Sequence, residues 1–301
     1  MRSGGEALTL GPRPLYPLKA AATRVRSHVW RLRTRGASET TGVRFLFYHR
    51  VSDDRDELAV SPRRFRAQMA VLAGLGFYVV DVVEAASRLL NGTSQSEKLL
   101  GLSFDDGYRD VAEEALPVLE RHGFRATVFV ATGLVDRTVP LSWYRREQPE
   151  LLRWEEIQSL DAGGTLRFEA HSVTHRNLVA LSDEDAKLEL TDAKRILEGR
   201  IGREVYAFSY PGGTFGERER ILAEEAGYRF AFSCEPGPNS RATDRFALRR
   251  NQIDHRDSLL DFRAKIGGAH DTALPGRSLY RRLRYGAWTP TPASSAAYRS
   301  R

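Results

Sequence analysis

Short apolar runs alternate with amphipathic stretches along most of this chain. Residues 43–49 (Val-Arg-Phe-Leu-Phe-Tyr-His) read as a buried strand. Ser61-Pro62 then opens a helix carrying Phe65, Met69 and Leu72 on one face, with proline at a tolerated first-turn position. Residues 77–80 read as a strand and 82–90 as a helix stopped by Asn91-Gly92. The apolar run 99–104 is the next strand, and 110–122 its helix. Further strands are expected over 126–131, 166–170, 205–209, 228–233 and 246–253, with helices over 155–162, 182–197, 217–226 and 258–266. Seven or eight strands alternating with helices, at spacings of about 25 to 40 residues, predict a parallel α/β sheet, and the count favours a barrel. Chemistry in such barrels gathers at the C-terminal ends of strands. His49, Asp105-Asp106, His171 and Tyr210-Pro-Gly-Gly213 all fall there.

The two ends of the chain follow a different pattern. Within residues 1–42, Leu18, Ala22, Val25, Val29 and Leu32 recur at helical spacing, and Arg24, Arg26, Arg31, Arg33 and Arg35 fill most of the gaps. A basic amphipathic helix of this kind suits an anionic membrane surface, so peripheral contact through residues 14–35 is expected. A helix packed on its own domain is the plain alternative. Residues 269–301 read as a basic, loosely composed tail, leaving 43–268 as the folded domain. Charge follows the same division: residues 1–44 carry +7 and 271–301 carry +5, in a chain of +7 overall, so the body between them is at −5. An acidic body argues against nucleic acid as a partner.

Composition adds mainly exclusions. A single cysteine, Cys234, excludes an internal disulfide framework and any cysteine-based metal cluster. No run approaches a membrane span, and residues 1–30 lack the layout of a secretory signal. The expected location is therefore the cytoplasm or the inner face of the membrane.

The candidate chemistry lies in Leu102-Ser-Phe-Asp-Asp-Gly107 and His171-Ser-Val-Thr-His175. Adjacent aspartates at a strand end point in different directions, so one can bind a cation while the other handles a proton. The alternative, an N-cap pair, is plausible for Asp105-Asp106 alone. His171 and His175 are four apart, and a helical turn would place both rings on one face. The pair lacks the internal glutamate of His-Glu-x-x-His peptidases, so a base must come from another strand. An iron oxygenase built on two histidines and one carboxylate fits the ligand types, but the α/β alternation and the spare aspartate oppose it.

Taken together, these motifs resemble the polysaccharide deacetylases with a NodB-like domain, carbohydrate esterase family 4. Leu102–Gly107 resembles the family's first motif, His171–His175 its second and Phe208-Ser-Tyr-Pro-Gly-Gly213 its third, within similarity over about residues 43–267. The resemblance implies a distorted (β/α) barrel of seven or eight strands and metal-dependent removal of acetyl groups from an N-acetylated sugar or polysaccharide. It implies Asp105 as general base and Asp106, His171 and His175 as ligands of a divalent metal, zinc foremost, with cobalt or nickel as alternatives.

The departures from the family pattern are specific. The third-motif tyrosine whose backbone amide helps bind the oxyanion is replaced by Gly212, which leaves Tyr210 as a substrate contact. Ser209 stands where an arginine usually orients the base, and Arg249 or Arg250 is expected to reach in instead. The late leucine-histidine motif is missing. Phe47-Tyr-His-Arg-Val51 is similar to the early motif of the permuted poly-N-acetylglucosamine deacetylases, which implies His49 as the general acid; Asp53 and Asp54 beside it read as a solvated acidic turn before they read as groups that tune it. Trp143, Tyr144 and Trp154 are either sugar-stacking platforms or loop core. The substrate implied is an N-acetylated glycan, free or as a lipid-linked or cell-envelope intermediate. Hydrolysis of a small cyclic amide or ureide on the same barrel is the alternative, and a silent glycan-binding module the weakest reading.

Overall fold

Parallel strands whose side chains are buried on both faces form the centre of the molecule. The computed structural model describes residues 16–34, 42–92, 98–135, 141, 144 and 148–271. The strands are β1 (Arg44–Tyr48), β2 (Arg50–Val51), β3 (Ala59–Val60), β4 (Phe77–Asp81), β5 (Lys98–Asp105), β6 (Ala126–Val130), β7 (Leu166–Ala170), β8 (Ala207–Ser209), β9 (Phe230–Phe232) and β10 (Asn251–Gln252). The helices are α1 (Tyr16–Thr34), α2 (Pro62–Gly74), α3 (Val82–Asn91), α4 (Leu116–His122), α5 (Thr132–Val135), α6 (Trp154–Ala162), α7 (Asp183–Ile201), α8 (Glu217–Glu225) and α9 (Leu259–Ile266).

Eight strands make the main sheet in the order β10-β1-β5-β6-β7-β8-β9, with β4 on β5 beside β6. β5 is long enough to pair with β4 through residues 98–102 and then with β6 through 103–105. Residues 245–252 join the two ends. Ser233 N–H bonds to Leu248 on the β9 side, and Phe47 pairs with Gln252 on the β1 side. The ring therefore closes through one irregular segment, and the expected distorted barrel is observed. β2 and β3 form a separate two-stranded pair at its rim.

Local chemistry sets most boundaries. Ser61 and Asp81 accept backbone N–H bonds at the starts of α2 and α3, and Ser182 does so for α7. Alternation along β1 sends Leu46 and Tyr48 outward against Phe65 and Met69, while Phe45 turns inward with Phe129, Phe232 and Leu248. Gly101 is required beside Phe45, because a Cβ there would lie 2.3 Å from the ring. The stretch expected as one helix, 110–122, begins instead with a π-helical turn at Val111–Ala115 before α4. Pro117 has no N–H to continue the i→i−4 ladder, and the wider turn absorbs that break.

α1 packs on the domain. Trp30 donates its indole N–H to the Gly267 carbonyl at 3.1 Å, and Arg26 bonds to the Ala269 carbonyl. Gly267 must be glycine, since a Cβ would come 2.3 Å from the indole. The remainder of the basic arm (1–15 and 35–41) and the tail beyond 271 lie outside the described residues. Among the described residues, no helix is long and apolar enough to cross a membrane.

The α1 contact has a pH dependence of its own. His270 lies 3.3 Å from the Ser27 hydroxyl, and burial, with Lys265 and Arg26 nearby, holds its pKa down at about 3. Its folded pKa lies below the unfolded value of 6.5, so the stabilisation is complete above 6.5 and is lost as pH falls toward 3. Between pH 7 and 4.5 the loss should be on the order of 2–3 kcal/mol in chemical denaturation. His270→Gln should flatten that slope; an unchanged slope would place the titration elsewhere.

Candidate active site

β5 delivers both aspartates to the same end of the barrel, and the backbone then separates them. Asp105 closes the strand in extended conformation, whereas Asp106 takes a left-handed φ of 75°. The two carboxylates consequently enter different surroundings.

Asp105 meets Arg250, from the segment that closes the ring. The guanidinium bonds to both carboxylate oxygens, at 2.7 and 2.8 Å. Its other N–H groups go to the Ser103 hydroxyl (3.1 Å), the Ser209 hydroxyl (2.7 Å) and the Ser233 carbonyl (3.1 Å). The rings of Phe47 and Phe129 lie against it at 4.5 and 5.2 Å. Burial alone would raise the Asp105 pKa, but Arg250 beside it pulls the group below its ordinary value. Of the two arginines expected from sequence, Arg250 reaches Asp105. Arg249 is exposed and points away, so that candidate is corrected. The small Ser209 also leaves room for the guanidinium that occupies the centre.

Asp106 faces the histidines. Its Oδ1 lies 3.6 Å from His171 Nε2 and 3.4 Å from His175 Nε2, and all three residues present ligand atoms within 4.8 Å of one another. That oxygen is buried and has no hydrogen-bond partner. Burial and the adjacent Asp105 charge push Asp106 well above the usual carboxylate range. Burial lowers the pKa of His171, and burial together with His171 lowers that of His175 further. His171 Nδ1 is fixed by the Ser209 carbonyl at 2.6 Å, which directs the Nε2 lone pair toward Asp106. A partnerless carboxylate oxygen facing two imidazole nitrogens is a donor set suited to a divalent cation of borderline softness.

The histidine loop is not the expected helical turn. Ser172 and His175 both adopt left-handed conformations, φ 67° and 57°, and the two rings meet edge-on with centroids 4.7 Å apart. The loop is anchored by Glu189 of α7, a residue the sequence reading missed. Its carboxylate accepts from Val173 N–H and Thr174 N–H, each at 2.9 Å, and from the Thr174 hydroxyl. The available signal was a glutamate on the buried face of an otherwise regular amphipathic helix.

His49 lies half-buried at the end of β1. Burial, with His171 and Arg250 nearby, holds it at about 4, against the opposing pull of Asp105 and Asp56. The acidic neighbours acting on it are Asp105 and, more weakly, Asp56. Asp56 belongs to a buried cluster around Arg50, which binds Asp56, Asp54 and Asp110 at 2.8, 2.6 and 2.7 Å. Tyr144 donates to Asp56 at 2.5 Å.

Gly212 sits with φ 62° in the tight turn Pro211–Gly213 after β8. Tyr210 is fully buried, donates to the Phe246 carbonyl and stacks on Phe215, so its assignment as a substrate contact is corrected. Tyr144 and Trp154 are likewise buried core, with Arg200 over the Trp154 ring. Trp143 lies outside the described residues.

The barrel thus gathers an arginine-bound carboxylate and a possible metal-ligand trio at its strand ends. The family model described as polysaccharide deacetylase matches residues 92–231. The Bacillus subtilis protein YxkH is 28% identical over 208 residues, covering 69% of this chain and 70% of that protein. The Staphylococcus aureus poly-beta-1,6-N-acetyl-D-glucosamine N-deacetylase is 20% identical over 224 residues, covering 70% and 75%. Among solved structures, IcaB from Ammonifex degensii superposes with a TM-score of 0.65 at 23% identity, over 76% of this chain and 98% of that one. The Streptococcus pyogenes deacetylase PplD gives 0.63 at 23% identity, over 71% and 93%. Over residues 92–231 the chain resembles the polysaccharide deacetylase family, and that resemblance supports a hydrolase acting on amide bonds.

Removing Arg250 would leave Asp105 charged, buried and unpaired. Arg250→Gln should cost about 3–5 kcal/mol in urea unfolding at neutral pH. Arg249→Gln should stay within about 0.5 kcal/mol of the native protein. Equal effects of the two would contradict the pairing.

Proposed function

We propose that this enzyme removes N-acetyl groups from an N-acetylated glycan, free or as a lipid-linked or cell-envelope intermediate, in a metal-dependent reaction. The observation that carries this reading is the trio Asp106, His171 and His175 beside an Arg250-bound Asp105. A divalent cation held by the trio, zinc foremost and cobalt or nickel as alternatives, would supply Lewis acidity toward water and the amide oxygen. Asp105 accepts the proton of the attacking water, with Arg250 fixing the direction of its oxygens. The Gly212 backbone N–H donates to the developing oxyanion. His49 serves as the acid for the departing nitrogen. Held near 4, it rests neutral at pH 7, so the proton it delivers is the one the water released to Asp105. Water thus supplies hydroxyl to acetate and hydrogen to the amine, and the proton count closes.

Acetate release from N-acetylglucosamine oligomers and from lipid-linked N-acetyl sugars tests the reading. Chelator should abolish release. Asp105→Asn should lower kcat by about 10²–10⁴-fold while leaving metal stoichiometry unchanged. Stoichiometric metal without acetate from any sugar would keep the site but transfer the reaction to cyclic amides or ureides.

A further inference from the structure

α1 docks through the face opposite its apolar stripe. Ser27 and Trp30 are buried against the segment after α9, while Val25, Val29 and Leu32 remain 62%, 40% and 81% exposed. At 100° per residue, these three lie within roughly 60° of one another, on the far side of the helix from Ser27 and Trp30. Exposed Arg33 borders the stripe on one side and exposed His28 on the other, while exposed Arg24 and Arg31 lie farther round, at the level where the helix turns toward the domain. The apolar periodicity of this segment therefore does not serve the protein's own core.

We propose that this outer face of α1 seats the enzyme on an anionic lipid bilayer. Apolar side chains flanked by arginines suit the boundary between acyl chains and anionic headgroups, with the aliphatic residues inserted and the guanidinium groups at phosphate level. A second copy of the chain suits the face poorly, because a two-fold contact would bring two sets of Arg24, Arg31 and Arg33 together. A nucleic acid would leave the aliphatic stripe in water. Anchorage through Trp30 and the Gly267 carbonyl ties the helix to the catalytic domain, so a bound α1 holds the barrel at the surface.

Flotation of the full chain with vesicles tests this independently of any deacetylase assay. Vesicles of phosphatidylglycerol and phosphatidylcholine should carry the protein, and pure phosphatidylcholine should not; high salt should weaken the binding. The double variant Val25→Gln, Leu32→Gln should lose about tenfold or more in partition. Because both side chains are largely exposed, its thermal midpoint and circular dichroism should match those of the native protein. Absence of flotation with anionic vesicles, or flotation unchanged in the double variant, overturns the proposal. A lipid-independent dimer that the double variant abolishes overturns it in favour of self-association.

Discussion

The Arg250–Asp105 pair is the interaction on which the rest of the centre depends. A guanidinium has five N–H donors, and here all five find acceptors: two oxygens of Asp105, the hydroxyls of Ser103 and Ser209, and the Ser233 carbonyl. Burying either charge alone would cost several kcal/mol. Paired and fully hydrogen-bonded, the two charges join β5, β8 and the end of β9 to the segment that closes the ring. Phe47 of β1 and Phe129 of β6 pack on the guanidinium as well. One side chain thus ties barrel closure to the position of Asp105.

The same pair divides the adjacent aspartates electrostatically. Asp105 is bonded directly to the guanidinium and is held below the ordinary carboxylate range, whereas burial and the neighbouring Asp105 charge outweigh the more distant pull of Arg250 on Asp106 and push it above that range. The left-handed turn at Asp106 makes this division possible, since an extended residue there would continue the strand. Among the described residues, Asp106, Ser172 and His175 are left-handed without being glycine, and all three lie in or beside the trio that could hold a metal ion. Such conformations persist where surrounding bonds over-determine them. Here those bonds come from Glu189, from the Ser209 carbonyl and from the Ser172 carbonyl that receives Thr132 N–H.

A second charged cluster supports the rim in the same manner. Arg50 gathers Asp54, Asp56 and Asp110 from the β2–β3 connection and from the turn after β5, and Tyr144 adds a bond to Asp56 from a distant part of the chain. This places Asp56 where it opposes the depression of His49. Two buried arginines therefore brace the site, Arg250 against Asp105 and Arg50 at the rim next to His49 in the chain.

The sequence by itself determined the α/β alternation, the strand ends on which the chemistry sits, and Asp105, Asp106, His171 and His175 as the polar groups placed there. Those features depend on local periodicity and short motifs, which the chain carries within a few residues. It narrowed the arginine to two neighbours and revealed the amphipathic stripe of α1. Only the tertiary structure decided between Arg249 and Arg250, moved Tyr210, Tyr144 and Trp154 into the core, and recruited Glu189 and Asp56. It also showed which face of α1 is buried. Each of these depends on contacts between residues tens to hundreds of positions apart. Adjacent side chains in an irregular segment such as 245–252 have no periodicity from which their directions can be read; the closure of the ring sets those directions.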